Sequence, residues 1–233
     1  MSASSPTNAI ARRRWAALVR HAVGRLLATR LGRFARASSV GIAIASIAWV
    51  VVLRLSDGAA APVAAVPIQI AKLAFWVVAV PFALAAANAR TLGDKKEGTE
   101  ALLRIRGFDT TAIAVSRVVA AAWVGALGML LPAVTAAVAS AASAPSVGAL
   151  GERARVLLAV AVYGLVGGGV ISALGGAADL VAPRRGRWLL VTATIISWAL
   201  SDVVHDPRLS VTGGLGLVLR TMVSVLGLGK IGP

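Results

Sequence analysis

The chain has 233 residues, 58% of them hydrophobic and 14% charged, with a mean hydropathy of +0.83. Soluble domains carry about 25% charged residues, so this composition is too apolar to cover a water-facing surface and points to a bilayer. The net charge is +15 and there is no cysteine, which excludes disulfides, cysteine-ligated zinc and thiol catalysis.

Lipid cannot satisfy free backbone groups, so helices are the expected spanning form. The apolar stretches are long and lack the alternation of a membrane barrel. The predicted fold class is therefore an all-α membrane protein of about six transmembrane helices, preceded by an N-terminal amphipathic interfacial helix.

Residues 1–9 are small and polar, and are expected to be disordered. A basic stretch follows from Arg12 to Arg36. Trp15, Leu18, Val19, Ala22 and Leu26 recur at helical spacing, with Arg13, Arg20, His21 and Gly24 on the opposite side, which predicts a helix lying in the membrane interface. The basic region is too long for a signal peptide, and no small-residue cleavage site follows a short apolar core. Residues 1–37 thus form the interfacial start, and residues 38–233 the transmembrane domain.

The first span is predicted at Ser38–Leu53, followed by a loop broken by Asp57, Gly58, Pro62 and Pro67. The second is Ile68–Asn88, with a kink at Pro81. After a charged segment, Thr111–Ala142 is longer than one crossing of roughly 20 residues needs. It either begins outside the membrane or bends at Pro132. Val156–Val181 and Trp188–Val203 are the fourth and fifth spans. The tail after Asp206 is apolar but glycine-rich and carries Arg220; it is read as a sixth span, with a re-entrant or interfacial segment as the alternative.

Seventeen of the 24 Lys and Arg fall on one side of these spans: eight from Arg12 to Arg36, five from Arg90 to Arg106, three from Arg184 to Arg187, and Lys230. Arg54, Arg153, Arg155 and Arg208 fall on the other. The asymmetry predicts a multi-pass protein of the cell (inner) membrane with a cytoplasmic N-terminus. Bases placed beside apolar spans fit membrane lipids as partners and argue against nucleic acid.

The charged segment, residues 93–110, carries helix punctuation. Thr99 is a candidate N-cap, Glu100 an acid in the first turn, and Arg104 and Arg106 bases in the last. Gly107 is placed to stop the helix, and Asp109 or Thr110 to cap the next. A short helix from Glu100 to Arg106 results, with Ala101, Leu102, Leu103 and Ile105 needing a surface to cover. Judged on spacing alone, a solvated loop whose bases set the topology is the simpler reading.

These residues also carry a resemblance. "DKKEGTEALLRIRGFDTTAIAVSRVVAA" is similar to the cytosolic segment of type-2 ABC exporter permeases. There an "EGT" stretch, a leucine-rich turn and a short loop lead into a helix returning to the membrane. The basic helix before the first span agrees. So does "ISALGGAADLVAPRRGRWLLV", which resembles the family's fourth span, basic loop and fifth span. The resemblance runs from about Arg12 to Leu200; "RGFDTT" stands where the family commonly has a proline-containing turn, and the tail is shorter than usual. It implies a coupling helix docked through Glu97, Gly98, Thr99, Leu102 and Leu103 into a separate ATP-binding subunit, braced by the basic N-terminal helix. It also implies a homo- or heterodimer of permease subunits forming the export pathway.

No G-x-x-x-x-G-K-[ST] phosphate loop occurs, and Gly229–Lys230 is followed by Ile231, so ATP hydrolysis is expected in the other chain. No catalytic, metal or cofactor residue is predicted. A non-transporting membrane scaffold or assembly subunit is the alternative function.

Further features have local readings. Gly164, Gly168, Ser172 and Gly176 recur every four residues, which suits close helix packing within the subunit or a dimer face. Asp179 is expected to pair with Arg184 and Arg185 at a span boundary, and Lys72 to snorkel toward the outer surface. His205, beside Asp202 and Asp206, is expected to be solvated.

Overall fold

The computed structural model describes residues 6–57, 63–88 and 90–206, and residues 217 and 221 singly. Among the described residues the regular structure is helical, without strands: α1 (Pro6–Ala28), α2 (Arg30–Asp57), α3 (Val66–Ala74), α4 (Val80–Ala86), α5 (Arg90–Lys96), α6 (Thr99–Ile105), α7 (Thr110–Ala142), α8 (Val147–Val181) and α9 (Gly186–Val204). Five stretches are long and apolar enough to cross a membrane: Arg30–Ser56, Val66–Lys96, Thr110–Ala142, Val147–Val181 and Gly186–Val204. This is the make-up of a multi-pass membrane protein. The expected sixth span falls after Asp206, outside the described residues.

The helix boundaries have local causes. Pro6 opens α1, a position that suits proline because the first helical amide has no partner to lose; the helix thus starts inside the stretch expected to be disordered. The predicted division at residue 37 falls within α2, and the chain breaks instead at Thr29. The Thr29 hydroxyl donates to the Leu26 carbonyl at 2.8 Å and accepts from the Gly32 amide at 2.9 Å, closing one helix and opening the next. A Cβ at Gly32 would collide with the Leu26 carbonyl oxygen, so the fold-back needs glycine there.

Pro81 has the predicted effect in a particular form. The residues before it, Phe75–Ala79, form a π-helical turn in which the Val80 amide reaches the Phe75 carbonyl. Proline lacks an amide and its ring crowds the carbonyl four residues back, and one widened turn absorbs both defects. Pro132, by contrast, lies inside an α7 that runs unbroken over 33 residues. At 1.5 Å per residue that is about 50 Å, against a hydrocarbon core of about 30 Å. The helix is thus not broken at Pro132.

α8 begins at Val147, nine residues before the predicted span. The polar turn that masked its start is folded back on α7. Arg153 is buried, and its Nη1 donates to the Ser140 carbonyl and, at 2.9 Å, to Ser143 Oγ.

α7 and α8 form the central pair. Gly164, Gly168, Ser172 and Gly176 all lie on the face of α8 turned to α7 of the same chain. A Cβ at Gly168 would strike the Gly125 carbonyl, one at Gly176 would sit 3.2 Å from Val118 Cα, and one at Gly164 3.4 Å from Leu130 Cα. Ser172 faces Gly125 across the same contact. The four-residue ladder is therefore used within the subunit, where it lets two backbones approach. The π-helical turn and α4 pack against this pair through Phe75, Val78 and Phe82, with Met129, Val156 and Val160 completing the core. α2 and α9 lie outside it and leave most of their apolar side chains uncovered.

Candidate functional site

One end of the bundle gathers four ion pairs. It is built from α1, the α5–α6 pair, the start of α7 and the end of α8.

α5 was not expected as a helix, and its cause lies far away in sequence. The Asp179 carboxylate, at the end of α8, accepts from the Arg90 amide at 3.0 Å, the Thr91 amide at 2.9 Å and the Thr91 hydroxyl at 2.7 Å. The first amides of a helix have no intrahelical acceptor and carry a partial positive charge, so a buried carboxylate there is both satisfied and stabilising. This corrects the expected pairing of Asp179 with Arg184 and Arg185. Both arginines are exposed, while Asp179 is buried under α5.

One turn further along α5, Asp94 joins three helices. Its Oδ2 lies 2.6 Å from Arg117 Nη2 of α7, and its Oδ1 lies 2.9 Å from Arg25 Nη2 of α1. Arg117 also donates to Thr91 Oγ1 at 3.1 Å, which links the pair to Asp179. Arg25 makes a second contact, to Glu97 Oε2 at 2.6 Å.

The joints differ in exposure. The Arg117 and Asp94 side chains are 6% and 11% exposed, those of Arg25 and Glu97 41% and 54%. Breaking a buried pair by removing one partner costs roughly 3–5 kcal/mol, whereas an exposed pair contributes about 0–1 kcal/mol. α5 is thus fixed firmly to α7 and α8, and loosely by charge to α1. The hydrogen bond to Asp94 raises the Arg25 pKa above its ordinary value, partial burial opposes this, and Glu97 adds to the rise.

α6 is bounded by two left-handed glycines. Gly98, at φ 70°, is the residue before the helix, and Thr99 is its first residue, not its cap as expected. The turn from α5 into α6 needs a positive φ, which glycine adopts without penalty. At the other end the Gly107 amide reaches the Arg104 carbonyl at 2.9 Å and the Phe108 amide the Leu103 carbonyl at 3.1 Å. With Gly107 at φ 83°, these two bonds make a Schellman stop. Of the two residues expected to cap the next helix, Asp109 does so, accepting from the Ala112 amide.

The docking residues named from the sequence separate by role. Glu97 is turned to Arg25, and Gly98 and Thr99 form the turn. Leu103 is half-buried and, with Phe108, faces Ala17, Leu18 and His21 of α1 across an apolar groove of about 260 Å³. Leu102 is 61% exposed and Ile105 82% exposed. Glu100 is buried and pairs with Arg104 at 2.6 Å.

Sequence reasoning missed Arg25, Thr91, Asp94 and Arg117 as a network. The available signal was Arg117, a lone charge within an apolar run, since such a charge needs a partner. Elsewhere, Lys72 is exposed on α3, and His205 ends α9 at φ 57°, its Nδ1 3.2 Å from the Val203 carbonyl. No group of three or more metal-ligating side chains occurs among the described residues.

Compared with known protein families, with curated proteins and with solved structures, the chain matches none.

Proposed function

We propose that this chain is the membrane-spanning subunit of an ATP-driven export system of the ABC type. In this reading it pairs with a second permease subunit, and α6 docks on a separate ATPase. The observation that carries the proposal is a short, doubly bounded helix that exposes Leu102 and Ile105 while its neighbour α5 is fixed to two spans. The resemblance of residues 94–121 to the family's coupling segment supports the same reading. The basic asymmetry supports placing α6 in the cytoplasm and the protein in the inner membrane.

The mechanism follows from the unequal joints. A push on α6 passes through the Gly98 turn to α5. From α5 it reaches α7 through Asp94–Arg117 and α8 through Asp179. α7 and α8 pack backbone to backbone, so they move as one body. Displacement of that body against its counterpart in the dimer opens and closes the pathway. ATP binding and hydrolysis belong to the docked chain.

Leu102→Asp with Ile105→Asp tests the proposal. Both side chains are exposed, so the protein is expected to insert and fold. The ATPase should cease to co-purify, and ATP-dependent export should stop. A non-transporting scaffold has no ATPase to lose. Wild-type recovery of a phosphate-loop ATPase with the double variant would sink the docking assignment.

A further inference from the structure

The helix α2 carries Arg30, Arg33 and Arg36, all exposed, in its first turns. Arg30, Arg33, Ala37, Val40, Ile44, Ile47 and Val51 recur at alternating steps of three and four, and all seven are exposed. Together they make one continuous stripe along α2. Its upper part is aliphatic and uncovered by the rest of the chain. Its first two turns are cationic, with exposed Arg36 and Phe34 beside the stripe.

The spacing matches a lipid molecule. Arg36 and Arg33 precede Val40 by four and seven residues, or about 6 and 10 Å along the helix. The headgroup layer on each side of the hydrocarbon is about 5–8 Å thick, and arginine side chains reach along the helix to place their charge in it. An acyl chain lying on Val40 and Ile44 therefore has its phosphate at the level of Arg36, with Arg33 one turn beyond it. No Asp or Glu occurs before Asp57, so no nearby acid on the same helix competes for these guanidinium groups.

We infer that the Arg30–Arg33–Arg36 face of α2 binds anionic phospholipid headgroups in preference to zwitterionic ones. The inference is independent of whether an ATPase docks on α6. It also assigns these arginines to the bilayer and not to a protein partner. Each arginine near an anionic surface strengthens binding about fivefold, and guanidinium groups add bidentate contacts to phosphate oxygens.

The test compares the full-length protein with Arg30→Gln/Arg33→Gln/Arg36→Gln and with the corresponding triple Lys variant. Each is reconstituted in vesicles of phosphatidylcholine containing 30% phosphatidylglycerol as the probe. The ratio of the two lipids retained on detergent extraction is then measured. The wild type should retain phosphatidylglycerol about fivefold or more above its share in the vesicle. The Gln variant should fall to near that share, and the Lys variant should keep most of the enrichment. Retention at the vesicle ratio by the wild type overturns the inference, as does undiminished enrichment in the Gln variant. Loss of a co-purifying ATPase from the Gln variant with lipid enrichment intact also overturns it, because the face would then belong to a protein partner.

Discussion

At the scale of single residues, the buried Asp94–Arg117 pair and the exposed Arg25–Glu97 pair are expected to separate by measurement. Arg117→Met leaves a buried carboxylate without its main partner and should cost roughly 3–5 kcal/mol. Replacing both partners, as in Asp94→Leu with Arg117→Met, should recover much of that loss, because the desolvation penalty disappears with the charges. Glu97→Gln should cost under about 1 kcal/mol, since the pair it breaks is largely in solvent. Unfolding midpoints in detergent give all three values. Equal losses from Arg117→Met and Glu97→Gln would show that burial does not rank these joints.

At the scale of elements, the glycines of the α5–α6 hairpin divide by backbone conformation. Gly98 and Gly107 have positive φ, so alanine should destabilise at each by about 1 kcal/mol even though open space surrounds them. Gly93 lies inside α5 with nothing within 4 Å of its would-be Cβ. Gly93→Ala should therefore stabilise the helix by about 0.5–1 kcal/mol. Loss of stability at Gly93, or none at Gly98, would contradict the geometry. Gly168→Leu belongs to another class: it drives a side chain into the Gly125 backbone and should disrupt α7–α8 packing itself, whatever it does to a dimer.

The same elements show what a sequence discloses. The five long apolar helices were legible because stretches of that length and composition have few other uses, and the end of α6 was legible because its stop signal at Gly107 is local. α5 was not, because its cap is Asp179, 88 residues from Thr91. The early start of α8 was hidden because Arg153 and its neighbours look like a solvated turn until the Ser140 carbonyl is placed beside them. The glycine ladder was readable as a packing face, but its partner was not, since a four-residue spacing fits an internal helix and a second subunit equally.

At the scale of the whole molecule, the orientation is open to direct measurement. The chain has no cysteine, so single cysteines report without background. A cysteine at exposed Ser146, in the turn between α7 and α8, should react with an impermeant thiol reagent added outside intact cells. One at Gly98 should react only after the cells are opened. Labelling of Gly98 from outside would invert the topology and place α6 beyond the reach of a cytoplasmic ATPase.

The remote cap of α5 also sets an order of events during synthesis. Asp94 and Arg117 are 23 residues apart and can meet soon after α7 emerges. Asp179 follows Thr91 by 88 residues, an interval of roughly 4–18 s at translation rates of about 5–20 residues per second. Through that interval the first amides of α5 have only water as acceptor. They are locked when the end of α8 arrives. A subunit whose α8 is unfinished or misplaced thus holds its α5–α6 hairpin without the Asp179 cap, and a partner that needs the hairpin rigid meets it properly formed only once α8 is made.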